Sequence, residues 1–333
     1  MSLFIIAEAG VNHNGDVALA HRLIDVALDA GADAVKFQTF NPEKLVSPAL
    51  RQAEYQQRNT GRTESQLQML TRLALDEVAH QELKVHCDEV GIEFMSTPFD
   101  EESAHFLAEL GMRRFKIPSG ELLSTPYLRT IARYDRPTIL STGMSTLDEV
   151  RHGVETLLNG GLSGENLTLL HCTSAYPTPP EAVNLRAMVT LADTFGLPVG
   201  LSDHTADDTA ATMAVALGAT VVEKHFTLDR ALPGPDHKAS LEPDELARFV
   251  ERLRKAETML GDDRKRPTAA EMDTRAIARR RMVAARPIAA GEIITEDKLV
   301  LRRHDSGFWG DRWDDVIGTP APRAFAAGEG IEW

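Results

Sequence analysis

Two cysteines, Cys87 and Cys172, are the only thiols in the 333 residues. Their spacing fits no metal motif, and a chain of this size needs no disulfide to hold its core, so both are expected to be reduced. Basic charge is scarce too. Lys and Arg number 36 against 50 Asp and Glu, a formal net charge of −14. Such a field repels phosphate backbones and anionic membrane surfaces, which argues against nucleic acid and membrane partners. Any phosphate-bearing substrate must therefore be gripped by a few locally placed cations. No apolar run reaches the roughly 18 residues that a bilayer span needs, and Met1 to Ile6 enters a strand-like run without a charged leader. The expected location is the cytoplasm.

What is present is alternation. A hydrophobic fraction of 43% and a charged fraction of 26% are ordinary for a globular chain, long enough here for one large unit and a small one. Short β-branched or apolar runs occur at Phe4 to Glu8, Ala34 to Gln38, Glu93 to Thr97, Arg114 to Ile117, Thr138 to Ser141, Leu167 to His171, Val199 to Ser202 and Thr220 to His225. Helix-type sequence follows each, as in Val17 to Ala30, Thr146 to Leu158 and Pro243 to Leu260. Eight βα repeats match a (β/α)8 TIM barrel over residues 1–262. A doubly wound sheet is the weaker alternative, because no G-x-G-x-x-G follows the first run. The segment Thr39 to Glu64 exceeds a usual βα loop and reads either as an active-site flap or as a plain surface insertion. Polar sequence beginning at Gly261 marks a linker over 263–278. Residues 279–333 carry short apolar runs around Gly turns, a small β-rich domain opened by the solvated charges of Arg279, Arg280 and Arg281.

In a barrel of this kind the catalytic groups sit at the C-terminal ends of the strands, and all eight ends here are polar. Burying so many polar groups at one mouth is costly unless a ligand or a partner meets them. Lys36 and Lys116 end the second and fourth runs and suit a phosphate or carboxylate. Ser119, Ser141 and Ser202, with Gly120 and Gly143, offer hydroxyls and bare backbone N–H groups of the sort that cradle phosphate. His204 and His225 end consecutive runs about 5 Å apart, a placement for a divalent metal or for two structural histidines. His171 is expected to stand behind the site. Glu8 is the candidate for proton transfer, or else a partner for Lys36. Asp236, on the turn Pro233-Gly234-Pro235-Asp236, is placed either to bind sugar hydroxyls or to face solvent.

Taken in order, Ala7-Glu8-Ala9-Gly10-Val11-Asn12-His13-Asn14-Gly15, Val35-Lys36-Phe37-Gln38, Lys116-Ile117-Pro118-Ser119-Gly120-Glu121, Leu140-Ser141-Thr142-Gly143-Met144, Tyr176-Pro177-Thr178-Pro179, Ser202-Asp203-His204-Thr205, Glu223-Lys224-His225-Phe226 and Pro233-Gly234-Pro235-Asp236 resemble the sialic acid synthase family. That family includes N-acetylneuraminate, legionaminate and pseudaminate synthases and spore-coat polysaccharide homologues. The tail from Arg279 is similar to its antifreeze-protein-like (SAF) domain. The resemblance implies condensation of phosphoenolpyruvate with an N-acetylated amino-sugar aldehyde, N-acetylmannosamine or a 2,4-diacetamido-trideoxyhexose. It implies phosphoenolpyruvate on Lys36, Lys116, Ser119, Ser141, Ser174 and Ser202, and a metal, Mn2+ with Mg2+ or Co2+ as substitutes, on His204 and His225. Glu8, Gln38, Asn59, Tyr176 and Asp236 would face the sugar, with Arg303 supplied by the cap domain of a partner in a domain-swapped homodimer. Two positions depart from the family pattern. Ser174 stands where Asn is common, and Arg303-His304-Asp305-Ser306-Gly307 replaces Arg-Pro-Gly-Gly. A metal-dependent aldolase, a deoxy-sugar-phosphate synthase and a catalytically silent sugar-binding paralogue are the competing readings.

Overall fold

The computed structural model describes residues 2–333, with Glu54, Tyr55 and Arg58 described by their backbone alone. Two compact units divide the chain, Met1–Gly261 and Asp262–Trp333. In the first, β1 (Phe4–Gly10) leads to α1 (Val17–Asp29) and β2 (Ala34–Thr39). The long connection after β2 is not a structureless insertion. It folds as α2 (Pro42–Leu45), α3 (Glu54–Thr60) and α4 (Gln66–Leu73) ahead of α5 (Glu77–Val90) and β3 (Glu93–Pro98). Next come α6 (Glu101–Glu109), β4 (Phe115–Ile117), α7 (Thr125–Ala132), β5 (Thr138–Ser141) and α8 (Leu147–Asn159). The remaining elements are β6 (Leu167–Cys172), α9 (Arg186–Phe195), β7 (Val199–Asp203), α10 (Thr209–Ala216), β8 (Val221–His225) and α11 (Pro243–Leu260). The strands pair in parallel in the order β3-β2-β1-β8-β7-β6-β5-β4, and β3 lies against β4 to close the ring. This is a (β/α)8 barrel.

Local sequence starts the helices where the strands need them. Asp16 accepts the N–H groups of Ala18 and Leu19 to open α1, Asp100 accepts that of Ser103 at α6, and Thr146 with Glu149 forms a reciprocal cap on α8. No helix among the described residues is long and apolar enough to cross a membrane.

Strand parity then sorts the side chains, because successive residues point to opposite faces. Ile6, Ala34, Met95, Ile139, Leu170 and Val221 face the barrel axis and pack as one apolar layer. Their neighbours Ile5, Val35, Phe94, Leu140, Leu169 and Val222 pack outward among the helices. Gly200 keeps the axis clear, since a Cβ there would stand 2.1 Å from the carbonyl oxygen of Val221. Two residues beyond the apolar layer, the same parity delivers Glu8, Lys36, Thr97, Ser141, Cys172 and Glu223 to the mouth.

The second unit contains α12 (Met272–Ala278), β9 (Arg280–Ala284), β10 (Leu299–Arg303) and α13 (Trp313–Val316). β9 and β10 form an antiparallel ladder over a small core that includes Met282, Ile288, Ile294, Leu299, Phe325 and Ile331. The run Ile288 to Ile294 makes only single bridges to Phe325 and Pro320. Gly291, at φ +78, turns the chain between them.

Two buried histidines anchor the loops after β1 and β8. His13 Nδ1 accepts the Gly15 N–H at 3.0 Å, while His237 contacts Thr227 Oγ1 at 2.6 Å and Asn14 Oδ1 at 3.3 Å. Burial pushes both imidazoles down from 6.5 to about 4. Between those values the unfolded chain binds more protons than the folded one, so stability falls as pH drops through this window. Denaturant titrations at pH 7 and pH 5 should show a smaller loss for His13→Asn than for the parent protein, and equal losses would refute this account.

Candidate active site

A cavity of about 480 Å3 opens at the C-terminal ends of the strands. Its floor holds four charges, Glu8, Lys36, Lys116 and Glu223, none more than 4% exposed. Lys36 forms an ion pair with Glu8, donates to Thr97 Oγ1 at 3.0 Å and lies 3.5 Å from Glu223 Oε2. Lys116 Nζ stands 3.4 Å from Glu223 Oε1, which also accepts from Ser202 Oγ at 2.9 Å. Burial opposes every one of these charges, and the neighbours decide the outcome. Burial lifts Glu8 to about 7 in spite of Lys36. For Glu223 burial is outweighed by Lys116 and Lys36, which hold the carboxyl well below its usual range. Burial also pulls at Lys36, but Glu223 and Glu8 outweigh it and raise the ammonium pKa, whereas at Lys116 burial prevails and lowers it. The floor thus combines a fixed carboxylate with one that changes charge near neutrality.

Hydroxyls and bare backbone line the adjoining wall. Ser119 Oγ accepts the Gly143 N–H at 2.9 Å, and Ser141 Oγ is buried without a hydrogen-bond partner. A Cβ on Gly143 would come within 2.4 Å of Ser174 Oγ and 2.8 Å of Ser119 Oγ, so these side chains converge on an unobstructed backbone. Together they make a donor-rich cradle beside Lys116.

The imidazoles of His204 and His225 have ring centroids 5.5 Å apart, and Tyr176 packs 4.2 Å from the first and 6.0 Å from the second. His204 Nδ1 donates to the Thr173 carbonyl at 2.9 Å; burial opposes the charged ring but Cys172 outweighs it and raises its pKa, so Nε2 offers a lone pair once the ring is deprotonated. His225 Nδ1 is buried without a partner, and burial, then His204, keeps the ring far below its usual pKa and therefore neutral. Two neutral-capable imidazoles with uncommitted nitrogens suit a divalent cation whose other ligands are oxygens. Among the described residues no third His, Cys, Asp or Glu completes a metal cluster, so the remaining positions would fall to water or substrate. The loop carrying His204 is fixed from behind, where Lys224 Nζ binds Asp203 Oδ2 at 2.9 Å, the Thr205 carbonyl at 2.5 Å and the Asp207 carbonyl at 3.0 Å.

Of the residues singled out in the sequence, Glu8, Lys36, Gln38, Lys116, Ser119, Ser141, Ser174, Tyr176, Ser202, His204, His225 and Asp236 line this one cavity. Gln38 Nε2 lies 3.4 Å from Glu8 Oε1, and burial lifts Asp236 to about 6. Asn59 does not line the cavity. It donates to the Pro235 carbonyl at 2.6 Å and so steadies the turn bearing Asp236. Arg303 is exposed at the end of β10 in the second unit. His171 stands behind the site. Strand parity turns it outward, where Nε2 donates to the Val183 carbonyl at 2.7 Å, because Leu170 and Cys172 take the inward positions on β6. Glu223 was assigned no role from sequence, although the period-2 rule applied back from His225 places it on the same inward face. The cavity is also lined by apolar side chains from the loop after β1 and from the connection after β2, α4 included.

Residues 23–265 match the NeuB family and residues 279–333 match the SAF domain. The chain belongs to the NeuB family of sialic acid synthases. It is 46% identical to the N,N'-diacetyllegionaminic acid synthase of Legionella pneumophila, across 100% of this chain and 94% of that protein. It is 47% identical to the enzyme of the same name from Campylobacter jejuni, across 98% and 97%. Among solved structures, the N-acetylneuraminic acid synthetase of Leptospira borgpetersenii in complex with citrate superposes with a TM-score of 0.72 at 33% identity, covering 82% of this chain and 90% of that one.

The charge cage of this NeuB-family barrel carries its own stability prediction. Glu223→Ala leaves Lys116 without its nearest carboxylate in a buried site, and breaking such a pair from one side costs roughly 3–5 kcal/mol. Urea unfolding should register that loss, and a midpoint unchanged from the parent would show that the cage is held by something else.

Proposed function

We propose that this chain condenses phosphoenolpyruvate with an N-acetylated amino-sugar aldehyde, giving a nonulosonic acid and inorganic phosphate. The observation that carries the reading is the single cavity that faces two buried ammonium groups, a serine cradle and a pair of imidazoles toward one another. Lys36 and Lys116 receive the carboxylate and phosphate of phosphoenolpyruvate, with Ser119, Ser141, Ser174 and Ser202 supplying the hydroxyls around them. Entry of that anion competes with Glu8 and Glu223 for the lysines.

Carbon 3 of phosphoenolpyruvate forms a bond to the sugar aldehyde carbon as its enol double bond opens, and the aldehyde oxygen takes a proton from solvent. Water adds at carbon 2 and gives up its proton to Glu8. The bond from carbon 2 to the bridging oxygen then breaks, phosphate leaves with that oxygen and the proton of the carbon 2 hydroxyl, and carbon 2 becomes the ketone. Gln38, Tyr176 and Asp236 orient the sugar, and the cavity holds the two substrates in register, which supplies much of the rate of any bimolecular condensation. A divalent metal, manganese by preference, would be held by His204 and His225 and would act as a Lewis acid toward the aldehyde.

Similarity to synthases of diacetylated nonulosonic acids supports an amino-sugar acceptor. The same reading makes the protein a cytoplasmic, domain-swapped homodimer in which the SAF domain brings Arg303 to the acceptor end of the other subunit's cavity. Its support is the full-length match to the family, SAF domain included.

Phosphate release separates this function from an aldolase, which would liberate none. The protein should release one phosphate per phosphoenolpyruvate consumed, lose that activity on dialysis against EDTA and regain it with manganese. His225→Ala should also lower manganese affinity in calorimetric titration of the substrate-free protein. Full turnover after exhaustive chelation would remove the metal from the scheme. Glu8 accepts a proton only as carboxylate, the form that prevails above about pH 7. The value of kcat/KM should therefore decline as pH falls below 7, and Glu8→Gln should erase that limb along with most of the rate. A parent profile flat from pH 8 to pH 6 would exclude Glu8 as the base.

A further inference from the structure

Behind the serine cradle lies a second recess, of about 610 Å3, at the ends of β5 and β6 where α8 and α9 begin. Met144, Cys172 and Ser174 line both this recess and the barrel-mouth cavity, so the partition between the two is thin. Gly143 belongs to the same partition, since a Cβ there would meet Ser174 Oγ at 2.4 Å. Ser174, moreover, is shorter than the Asn common at this position in the family.

The recess is unlike the rest of the chain in charge. Among the described residues that line it there is no Asp or Glu, although the sequence holds 50 of them. Arg186, Asn184 and the Ser174 hydroxyl supply donors instead. Arg186 is exposed and forms no ion pair among the described residues. It opens α9, which has neither an acidic residue in its first turn nor a side-chain cap, so the positive end of the helix dipole adds to the guanidinium. Leu147, Val150 and Leu191 make much of the remaining lining apolar.

Condensation as proposed above leaves two anions, a sugar carboxylate and phosphate, in a cavity whose two lysines already face Glu8 and Glu223. Phosphate that leaves by the mouth must pass the other product, whereas the recess adjoins the cradle directly. We infer that the recess is a second anion site, which receives inorganic phosphate from the cradle across the Ser174 hydroxyl. The origin of the phosphate rests on the synthase reading; the site itself does not. A single guanidinium suits one small oxyanion. Phosphoenolpyruvate brings a carboxylate as well, and in the recess that second charge would lie against Leu147, Val150 and Leu191 without a partner. It therefore stays at the mouth, where two ammonium groups meet it.

Calorimetry on the full-length protein without acceptor sugar separates the two sites. The protein is titrated first with phosphoenolpyruvate and then, once saturated, with inorganic phosphate. The parent should bind phosphate on top of phosphoenolpyruvate. Arg186→Glu should weaken that second binding at least about tenfold, the loss expected for a charge-assisted contact, and Arg186→Lys should keep most of it. An unchanged phosphoenolpyruvate titration shows in the same sample that each variant is folded. In turnover, added phosphate should lower kcat of the parent even at saturating phosphoenolpyruvate, because an occupied recess blocks the next phosphate. Arg186→Glu should abolish that inhibition while keeping the parent's kcat in phosphate-free buffer. If phosphoenolpyruvate expels phosphate completely, or if Arg186→Glu binds phosphate as the parent does, the recess is not an anion site. If phosphoenolpyruvate itself does not bind, the synthase reading fails and the transfer from the cradle with it, whereas Arg186-dependent phosphate binding still upholds the site.

Discussion

Everything at the mouth of this barrel depends on four buried charges neutralising one another. Glu8, Lys36, Lys116 and Glu223 sit where water is excluded, and any one of them left alone would be intolerable. The arrangement solves the problem that an acidic chain faces in binding an anion. The net charge of −14 is of little consequence inside a cavity whose local field is set by two ammonium groups within a few ångströms. The cage is also asymmetric. Glu223 is pinned by both lysines and by Ser202, whereas Glu8 hovers between its charge states. One carboxylate therefore holds the lysines in place and the other can yield when a ligand arrives.

The rest of the fold serves that cage. An apolar layer of Ile6, Ala34, Met95, Ile139, Leu170 and Val221 closes the barrel beneath it and keeps water from entering below. The backs of the strands carry a second polar device. Lys224 and Asp203 lie between inward residues on β8 and β7, yet point the other way and brace the loop from which His204 projects. Alternating residues on one strand thus perform opposite duties, chemistry inside and loop support outside.

Much of this was legible in the sequence because it follows from periodicity. Eight short runs with helix-type sequence between them specify the barrel, and polar residues at every run's end specify which mouth is functional. What escaped has a physical reason in each case. Glu223 was within reach of the period-2 rule counted back from His225, but its part in the charge cage depends on Lys36 and Lys116 arriving from other strands. Residues 39–64 could be recognised as long but not as helical, since α2 and α3 are too short to show a period, and α2 is held through Leu45 by the cluster around Met69 and Leu70. Asn59 supports Asp236 across a long sequence separation, a tertiary relation that spacing cannot encode.

The cluster of Val11, Phe40, Met69, Leu70 and Leu73 is packed independently of the two barrel cores. That separation bears on how such a barrel diversifies. Volume and shape in the cluster can drift through exchange among aliphatic and aromatic residues without disturbing a single member of the ionic quartet, so descendants can inherit the bond-forming apparatus whole while acquiring a taste for different sugars.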